Sequence, residues 1–335
     1  MTTSPILIQK RFQFPPGQNP FITEEQRFFS YNHYIRSRFG QRIHRVTVDA
    51  GFTCPNRDGT VASGGCTYCN NDGFSPASQI YRVKKYLKPS TPVHDQITNH
   101  IDAMKKRFKT DKFFAYFQAY SNTYAPVDEL ETLYREALHH PDIIGLVVGT
   151  RPDCVDEEKL QLLQSIAETH YVSIEYGCES IYDKTLQWVN RGHDFACFID
   201  AVEMSAGRNL DVAAHIILGF PTETRDEMLA MAGAINRLPV DFIKIHNLHI
   251  VAQTPLAFQY KKSPFPVFEQ HEYSMLVCDF LERLSPNICI QRLYGDAPRA
   301  MQIAPRWSTT GQDMNLWVQA ELTRRQSFQG IRATE

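Results

Sequence analysis

Residues 49–72 read DAGFTCPNRDGTVASGGCTYCNND, and this stretch brings three cysteines, Cys54, Cys66 and Cys69, within sixteen positions. It directly follows a short β-branched run at residues 46–48 and is rich in Gly, Asn and Asp. The pattern therefore predicts a loop that begins where a strand ends. Loops after the carboxyl ends of parallel strands form the ligand-binding edge of a sheet, so the position suits a cofactor.

Beyond this loop, strand-like and helix-like segments alternate along the chain. Apolar or β-branched runs lie at residues 46–48, 113–117, 143–148, 171–176, 212–218 and 242–250. Stretches with helical spacing lie at residues 94–108, 128–138, 156–167, 195–208 and 223–238. Five strand–helix units and a sixth strand predict a parallel sheet, which the pattern leaves either open or closed into a barrel. After residue 250 the rhythm ends, with a helix predicted at 269–284, a short strand at 288–293 and a last helix near 316–325.

Composition narrows the class of protein. The 335 residues include 35 Lys plus Arg and 37 Asp plus Glu, a formal net charge of −2, which excludes a polycation but allows a local basic patch. Hydrophobic residues make up 43% of the chain, as in a globular protein. The apolar runs are too short to span a bilayer. No basic residue precedes the short first run, Ile6–Ile8, so we expect no secretory signal. We therefore expect a cytoplasmic protein, in which clustered cysteines indicate metal or redox chemistry.

The residues alone leave four interpretations of the cysteine cluster. A structural zinc site needs four ligands, and the next histidine after the loop is His94. A redox pair of Cys66 and Cys69 leaves Cys54 without a role. Three thiolates also suit an iron–sulfur cluster in which one iron has no protein ligand, and we favour this interpretation. Three unrelated loop cysteines are the fourth possibility.

Whole phrases of the chain resemble the bacterial YhcC/YtqA-type radical S-adenosylmethionine (SAM) proteins, over roughly residues 30–325. In chain order these phrases are GFTCPNRDGT, GGCTYCN, YFQAYSNTYAP, VVGTRPDCV, NRGHDFAC, ILGFPTET and IKIHNLHIV. The usual motif of the radical SAM superfamily is CxxxCxxC, whereas eleven residues separate Cys54 from Cys66 here. A weaker resemblance extends to the catalytic subunit of elongator and to oxygen-independent coproporphyrinogen oxidase.

The resemblance implies an α/β fold, a partial (βα)6 TIM-like barrel that forms a radical SAM core at residues 41–250. An N-terminal arm with a basic–aromatic segment would occupy residues 1–40, and a C-terminal α+β extension residues 251–335. Cys54, Cys66 and Cys69 would hold a 4Fe–4S cluster whose open iron binds SAM. One electron from a donor such as flavodoxin or ferredoxin would cleave SAM to methionine and a 5′-deoxyadenosyl radical, which abstracts hydrogen from the substrate.

Five further residues match SAM-binding positions of these relatives. The resemblance implies that Tyr68 packs on the adenine, Ser121 meets the methionyl end and Glu179 binds ribose hydroxyls. Arg191 would pair with the SAM carboxylate, and His215 falls where the porphyrinogen relative has a ribose-binding Asp. Ordinary packing, or a surface ion pair in the case of Arg191, is the alternative for each. Candidates for catalytic groups, with packing again as the alternative, are Cys154, His246 and His249.

Two basic stretches are candidate RNA contacts. One runs from Arg27 to Arg45 among aromatic residues. The other contains Arg82, Lys84, Lys85, Lys88, Lys105, Lys106, Arg107 and Lys109. Such stretches suit phosphate contact and base stacking, although solvated helix faces have the same composition. Because the elongator relative works at the wobble uridine of tRNA, the resemblance implies a tRNA partner and modification of a wobble-uridine side chain. The alternatives are a small-molecule or peptide substrate and a non-catalytic metal-binding module.

Overall fold

Seven parallel strands form the central sheet of the computed structural model, which describes Phe14, residues 18–71 and residues 91–334. The strands lie side by side in chain order: β1 (His44–Val48), β2 (Phe113–Phe117), β3 (Ile143–Thr150), β4 (Tyr171–Glu179), β5 (Asp211–Leu218), β6 (Phe242–Asn247) and β8 (Cys289–Arg292). A separate antiparallel pair consists of β7 (Ile250–Val251) and β9 (Gln302–Ala304). Neighbouring strands are parallel and follow one another along the chain, so each connection crosses back over the sheet with the same hand. Because all crossovers therefore lie on one face, the sheet curls into a partial barrel. The predicted α/β partial barrel is confirmed.

Helices supply the crossovers and cover the outside of the sheet. They are α1 (Tyr31–Phe39), α2 (Val93–Phe108), α3 (Val127–Leu138), α4 (Glu157–Ala167), α5 (Asp183–Trp188), α6 (Phe195–Ser205), α7 (Arg225–Asn236), α8 (Pro255–Lys262), α9 (Gln270–Arg283) and α10 (Gly311–Arg324). The local sequence fixes several starts, because the side chains of Asp156, Asp194 and Thr224 each accept a hydrogen bond from the first turn of the helix that follows. None of the described helices is long and apolar enough to cross a membrane.

The strands are buried on both faces. All five residues of β2 are buried, and seven of the eight residues of β3 are buried as well. Continuous burial of this kind is expected for parallel strands, since helices cover one face and the barrel interior covers the other. This explains why the strands appear in the sequence as unbroken apolar runs rather than as alternating patterns.

The segment before β1 closes the barrel at the amino ends of the strands. The Tyr34 ring packs edge-on against Phe242, 4.8 Å between centroids, and Arg38 Nη1 lies 2.8 Å from Asp211 Oδ2. Arg45 points into the barrel, where it meets a buried carboxylate described below. The structure therefore differs from the expected basic surface stretch, because Arg38 and Arg45 have buried acidic partners inside the fold.

Part of the basic surface does remain exposed. Exposed members of the two basic stretches include Arg36, Arg42, Lys106, Arg107 and Lys109. Lys105 is paired with Asp142 at 2.6 Å. Four other members lie outside the described residues, namely Arg82, Lys84, Lys85 and Lys88.

The C-terminal extension is partly built into the barrel. Strand β8 pairs in parallel with β6, so the short strand expected at residues 288–293 becomes the seventh strand of the central sheet. Helix α9 packs against α7 and against α10, which anchors the extension on the outside of the barrel. The domain boundaries at residues 40 and 250 stay predictions.

Candidate active site at the carboxyl ends of the strands

A cavity of about 700 Å³ opens at the carboxyl ends of the strands. Residues at or just after the ends of β1 to β6 line it, and so does the cysteine loop, defined here as residues 49–71. The cavity also reaches inward to Arg45, near the start of β1. It is thus deep enough to hold a cofactor at its mouth and a second group below.

Three backbone hydrogen bonds tie the cysteine loop to three separate parts of the barrel. Ser121, after β2, donates its N–H to the carbonyl of Thr53 at 3.2 Å. Thr67 donates to the carbonyl of Val189 at 2.9 Å, and Leu256 at the start of α8 donates to the carbonyl of Thr67 at 2.9 Å. The loop has little regular structure of its own, so these bonds help to hold it over the cavity, together with side-chain hydrogen bonds of Asn190 to the Ser63 and Gly65 carbonyls.

Cys54, Cys66 and Cys69 are free thiols that all line the cavity. Burial and the nearby Cys66 raise the pKa of Cys69 to about 11, with a smaller contribution from Cys54, although Arg57 opposes the shift. Cys66 Sγ accepts hydrogen bonds from Asn56 Nδ2 at 3.4 Å and from Arg191 Nη1 at 3.5 Å. Such donors stabilise a thiolate, the form that binds metal.

The donor set fits an iron–sulfur cluster with one open iron. Among the described residues no three His, Cys, Asp or Glu side chains are close enough to hold a single metal ion. Thiolates of a four-iron cluster bind different irons, so they stand further apart than the ligands of one ion. The arrangement of the three thiols is compatible with such a multi-iron centre.

Arg191 reaches the end of β4 from the loop before α6. Its Nη2 donates to the carbonyl of Gly177 at 2.6 Å and lies 3.6 Å from Glu179 Oε1. Burial would lower the pKa of Arg191, but Tyr68, Cys66 and Glu179 raise it well above its usual range. The residue is 6% exposed, so it is not a surface ion pair, and its Nε has no hydrogen-bond partner in the described structure. A buried cation with an unused donor is suited to bind a carboxylate.

The backbone at the end of β4 has an unusual conformation. Glu179 has a φ of 65°, in the left-handed region, which costs a non-glycine residue about 1–3 kcal/mol and is often found at functional sites. A Cβ at Gly177 would lie 2.5 Å from Arg191 Nη2 and 2.6 Å from Glu179 Oε1. Glycine at position 177 therefore leaves room for both side chains beside the cavity.

All five SAM-binding candidates line this one cavity. Tyr68 lies in the cysteine loop with its ring 6.2 Å from Phe220, and Ser121 follows β2 and is fully buried. His215 lies on β5, with Nε2 3.1 Å from Glu175 Oε2. Burial and Lys244 lower the pKa of His215, so the ring is neutral at pH 7.

The structure separates the three catalytic candidates. His246 and His249 line the cavity, and the His246 ring is 5.7 Å from that of His215. Burial lowers the pKa of His246 well below its usual range and that of His249 to about 4, so both are neutral at pH 7. Cys154 does not line the cavity. Burial and Asp153 raise its pKa to about 12, so it is a protonated thiol.

A buried charge network at the inner end of the cavity was not predicted from the sequence. Glu175 on β4 is fully buried and forms an ion pair with Lys244 on β6, and its Oε1 lies 3.0 Å from Arg45 Nη1. Tyr116 donates its hydroxyl to Glu175 Oε2 at 2.9 Å, and His215 contacts the same oxygen. Burial alone would raise the pKa of Glu175, but Lys244 and Arg45 lower it well below its usual range. Burial lowers the pKa of Lys244 to about 7 even though Glu175 opposes the shift.

One signal in the sequence could have suggested this network. Glu175 and Lys244 are charges inside the apolar runs of β4 and β6, and a charge at such a position needs a partner. The sequence does not tell which partner, because the two are 69 positions apart.

A parallel partial barrel with a cysteine loop over the cavity at one end is typical of proteins that bind a cofactor at the carboxyl ends of the strands. The chain belongs to the radical SAM superfamily, whose family model matches residues 56–235, and it is a radical SAM enzyme. The radical SAM C-terminal domain matches residues 240–324. The superfamily match begins two residues after Cys54, so the assignment of Cys54 as a ligand rests on the site itself.

Relatives span most of the chain. It is 37% identical to YtqA of Bacillus subtilis over 311 residues, 93% of this chain and 94% of YtqA. It is 35% identical to YhcC of Escherichia coli, over 82% of this chain and 85% of YhcC. A tRNA uridine(34) acetyltransferase of Methanocaldococcus infernus is 24% identical over 51% of this chain and 32% of its own length. The solved structure of Methanocaldococcus infernus Elp3 has the same fold, with a TM-score of 0.64 at 16% identity, covering 86% of this chain and 64% of that one.

Proposed function

We propose that Cys54, Cys66 and Cys69 hold a 4Fe–4S cluster and that the enzyme uses SAM to abstract a hydrogen atom from its substrate. The observation that carries this proposal is that three free thiols and five candidate SAM-binding residues converge on one cavity. When bound and reduced by a donor such as flavodoxin or ferredoxin, the cluster supplies the electron that cleaves SAM to methionine and a 5′-deoxyadenosyl radical.

The residues of the chain would bind and orient SAM. Arg191 is charged, buried and has an unused N–H, so it pairs with the SAM carboxylate. The Glu179 carboxylate accepts hydrogen bonds from ribose hydroxyls, and the Tyr68 ring packs on the adenine. Ser121 lies at the methionyl end, and the neutral His215 completes the wall on the ribose side.

Iron content and product release test the cofactor proposal. Protein reconstituted without oxygen should bind about four irons and four sulfides and should release 5′-deoxyadenosine on reduction with SAM. Changing any one of Cys54, Cys66 and Cys69 to Ser should abolish product release, because each thiolate binds a different iron. Cys154→Ser is the matched control and should keep both the iron and the activity. Loss of iron from that control, or stoichiometric zinc in place of iron, would contradict the ligand assignment.

We propose a wobble-uridine side chain of tRNA as the substrate. The similarity to a tRNA uridine(34) acetyltransferase over half of this chain supports an RNA substrate. So does the exposed basic group formed by Arg42, Lys106, Arg107 and Lys109, in which Thr110 Oγ1 donates to the Arg42 carbonyl at 2.8 Å and joins the two segments. Local positive charge of this kind binds phosphates even on a chain with a net charge of −2.

Nucleoside analysis and binding measurements test the substrate. A deletion strain should lack a modified wobble uridine that its parent contains, as measured by mass spectrometry of total tRNA nucleosides. Purified protein should bind tRNA with a salt-dependent affinity, and the triple variant K106E/R107E/K109E should bind more weakly at every salt concentration. The same variant should keep its release of 5′-deoxyadenosine, since these residues lie away from the cavity. An unchanged nucleoside profile together with no salt-dependent tRNA binding would favour a small-molecule or peptide substrate.

A further inference from the structure

Three cationic side chains separate the cavity from a second one. The second cavity, of about 610 Å³, lies at the seam between β1 and β8, where the barrel sheet is open. Among the described residues three line both cavities, and all three are basic: Arg45, Lys244 and Arg292. The junction between the two cavities is therefore walled by positive charge.

The acidic partners at this junction do not balance these charges. Both carboxylate oxygens of Glu175 are already engaged, Oε1 beside Arg45 and Oε2 with Lys244, His215 and Tyr116. Arg292 has no carboxylate within ion-pair distance among the described residues. Asp296 also lines the first cavity and, like Arg292, is exposed, but the two form no ion pair. Among the described residues Glu175 is thus the one carboxylate in ion-pair contact with any of these three basic groups, and a ligand that enters the junction meets excess positive charge.

Arg292 lies apart from the residues that would bind SAM, whereas Lys244 adjoins His215 in the sheet. One rung of the sheet pairs Gly177 on β4 with His215 on β5, His215 with Lys244 on β6, and Lys244 with Arg292 on β8. Arg191 contacts the Gly177 end of this rung, three strands away from Arg292. A group held at the β6–β8 end would lie beside the SAM site, inside the same cavity, without competing for Arg191.

We propose that Arg45, Lys244 and Arg292 form a subsite for an oxyanion group of the substrate, a carboxylate or a phosphate, next to the SAM site. Arginine binds such groups with paired N–H donors, and Arg292 has its donors available. Lys244 adds a point charge from the barrel wall. The proposal rests on the proposed function for the position of the SAM site and for the choice of an RNA probe.

A pair of RNA hairpins that differ in one charge tests the carboxylate source. Each carries one loop uridine substituted at C5, with a carboxymethyl group in the first hairpin and the neutral carbamoylmethyl group of the same shape in the second. The holoenzyme with SAM should bind the carboxylated hairpin about tenfold more tightly, a difference of about 1.4 kcal/mol. Arg292→Gln should bring the two affinities within about twofold, whereas the exposed control Arg306→Gln should leave the ratio unchanged.

Other outcomes separate the two anion sources. Equal affinities in the wild type, both weakened by Arg292→Gln and not by Arg306→Gln, would assign the subsite to a backbone phosphate. Equal affinities that Arg292→Gln leaves unchanged would overturn the subsite while leaving the tRNA substrate standing.

A second measurement keeps the test independent of RNA. The rate at which Lys244 is reductively methylated, followed by peptide mass spectrometry, should fall when inorganic phosphate is added to the wild type and should not fall in Arg292→Gln. If neither hairpin binds but phosphate protects Lys244, the tRNA substrate is wrong and the subsite stands. If phosphate gives no protection and Arg292→Gln weakens the binding of neither hairpin, the subsite is wrong.

Discussion

Replacing Glu175 with Gln removes the carboxylate that contacts both Lys244 and Arg45, and no other carboxylate among the described residues forms an ion pair with either. Glu175 has a fully buried side chain, and those of Lys244 and Arg45 are 7% and 19% exposed. Glutamine has nearly the same shape, so the variant tests charge rather than packing. We expect it to destabilise the fold, because a buried pair that loses one partner leaves the other charge without compensation.

The two cations respond differently to this loss. Lys244 already has a pKa of about 7 against an ordinary value of 10.5, and it can lose its proton altogether in the variant. Because burial has already weakened the binding of this proton in the wild type, little more stability is lost at Lys244 at pH 7. Arg45 cannot lose its proton, so its charge stays in place. We therefore assign to Arg45 most of an expected loss of about 3 kcal/mol, the lower end of the range for a broken buried pair, because Arg45 is partly exposed.

Denaturation of four proteins measures this effect: the wild type, Glu175→Gln, Arg45→Met and the double variant. A loss of about 3 kcal/mol should lower the melting temperature by about 4 °C for Glu175→Gln, given the length of the chain. The double variant should be more stable than Glu175→Gln alone, since the uncompensated arginine is gone. Glu157→Gln, which breaks a surface pair with Arg208, is the matched control and should change stability by less than about 0.5 kcal/mol. A loss below about 1 kcal/mol for Glu175→Gln, or no recovery in the double variant, would refute this account.

Three further substitutions have defined outcomes. Gly177→Ala places a methyl group 2.5 Å from Arg191 Nη2, so SAM affinity measured by calorimetry should fall at least about tenfold. The control Gly233→Ala should leave SAM affinity unchanged, because its added Cβ would meet only a side-chain nitrogen 3.9 Å away. Lys244→Met should flatten the rise in wild-type stability between about pH 7 and pH 10.5. Stability rises over this range because the unfolded chain holds the lysine proton and the folded chain does not. Denaturation at several pH values measures this rise, and a rise that persists in Lys244→Met would contradict the assignment to Lys244. Arg38→Met should lower stability by about 3 kcal/mol and leave tRNA affinity unchanged, whereas weaker tRNA binding with unchanged stability would mean that Arg38 is a surface contact after all.

The residue pattern was sufficient for the parallel sheet and for the position of the cysteine loop, while the barrel was expected from the resemblance. Strands β2 and β3 are unbroken apolar runs because both faces are buried, and the loop follows directly after β1. The seventh strand was harder to predict. Residues 288–293 have a strand-like composition, but whether β8 pairs with β6 or within the extension depends on contacts between distant parts of the chain.

Charges were the least predictable feature. Arg38 and Arg45 lie in a stretch whose composition is typical of an RNA-binding surface, yet both have acidic partners far along the chain, Asp211 and Glu175. Residue type alone does not distinguish a surface arginine from one paired inside the barrel. For the same reason the sequence does not reveal the ion pair between Lys244 and Glu175, since neither residue type indicates its partner.

In the buried network of Glu175, Lys244 and Arg45, the requirements of barrel stability and of cavity chemistry conflict. An apolar side chain at position 244 would avoid the unfavourable burial that lowers the pKa of Lys244, so stability alone does not account for a lysine there. An anionic ligand beside Lys244 and Arg292 would supply the missing negative charge, raise the pKa of the lysine and so favour its protonated form at neutral pH. The free energy of ligand binding would then offset the cost of burying the Lys244 charge, which destabilises the free enzyme. By this argument the inner end of the cavity is built for its ligand rather than for the empty fold.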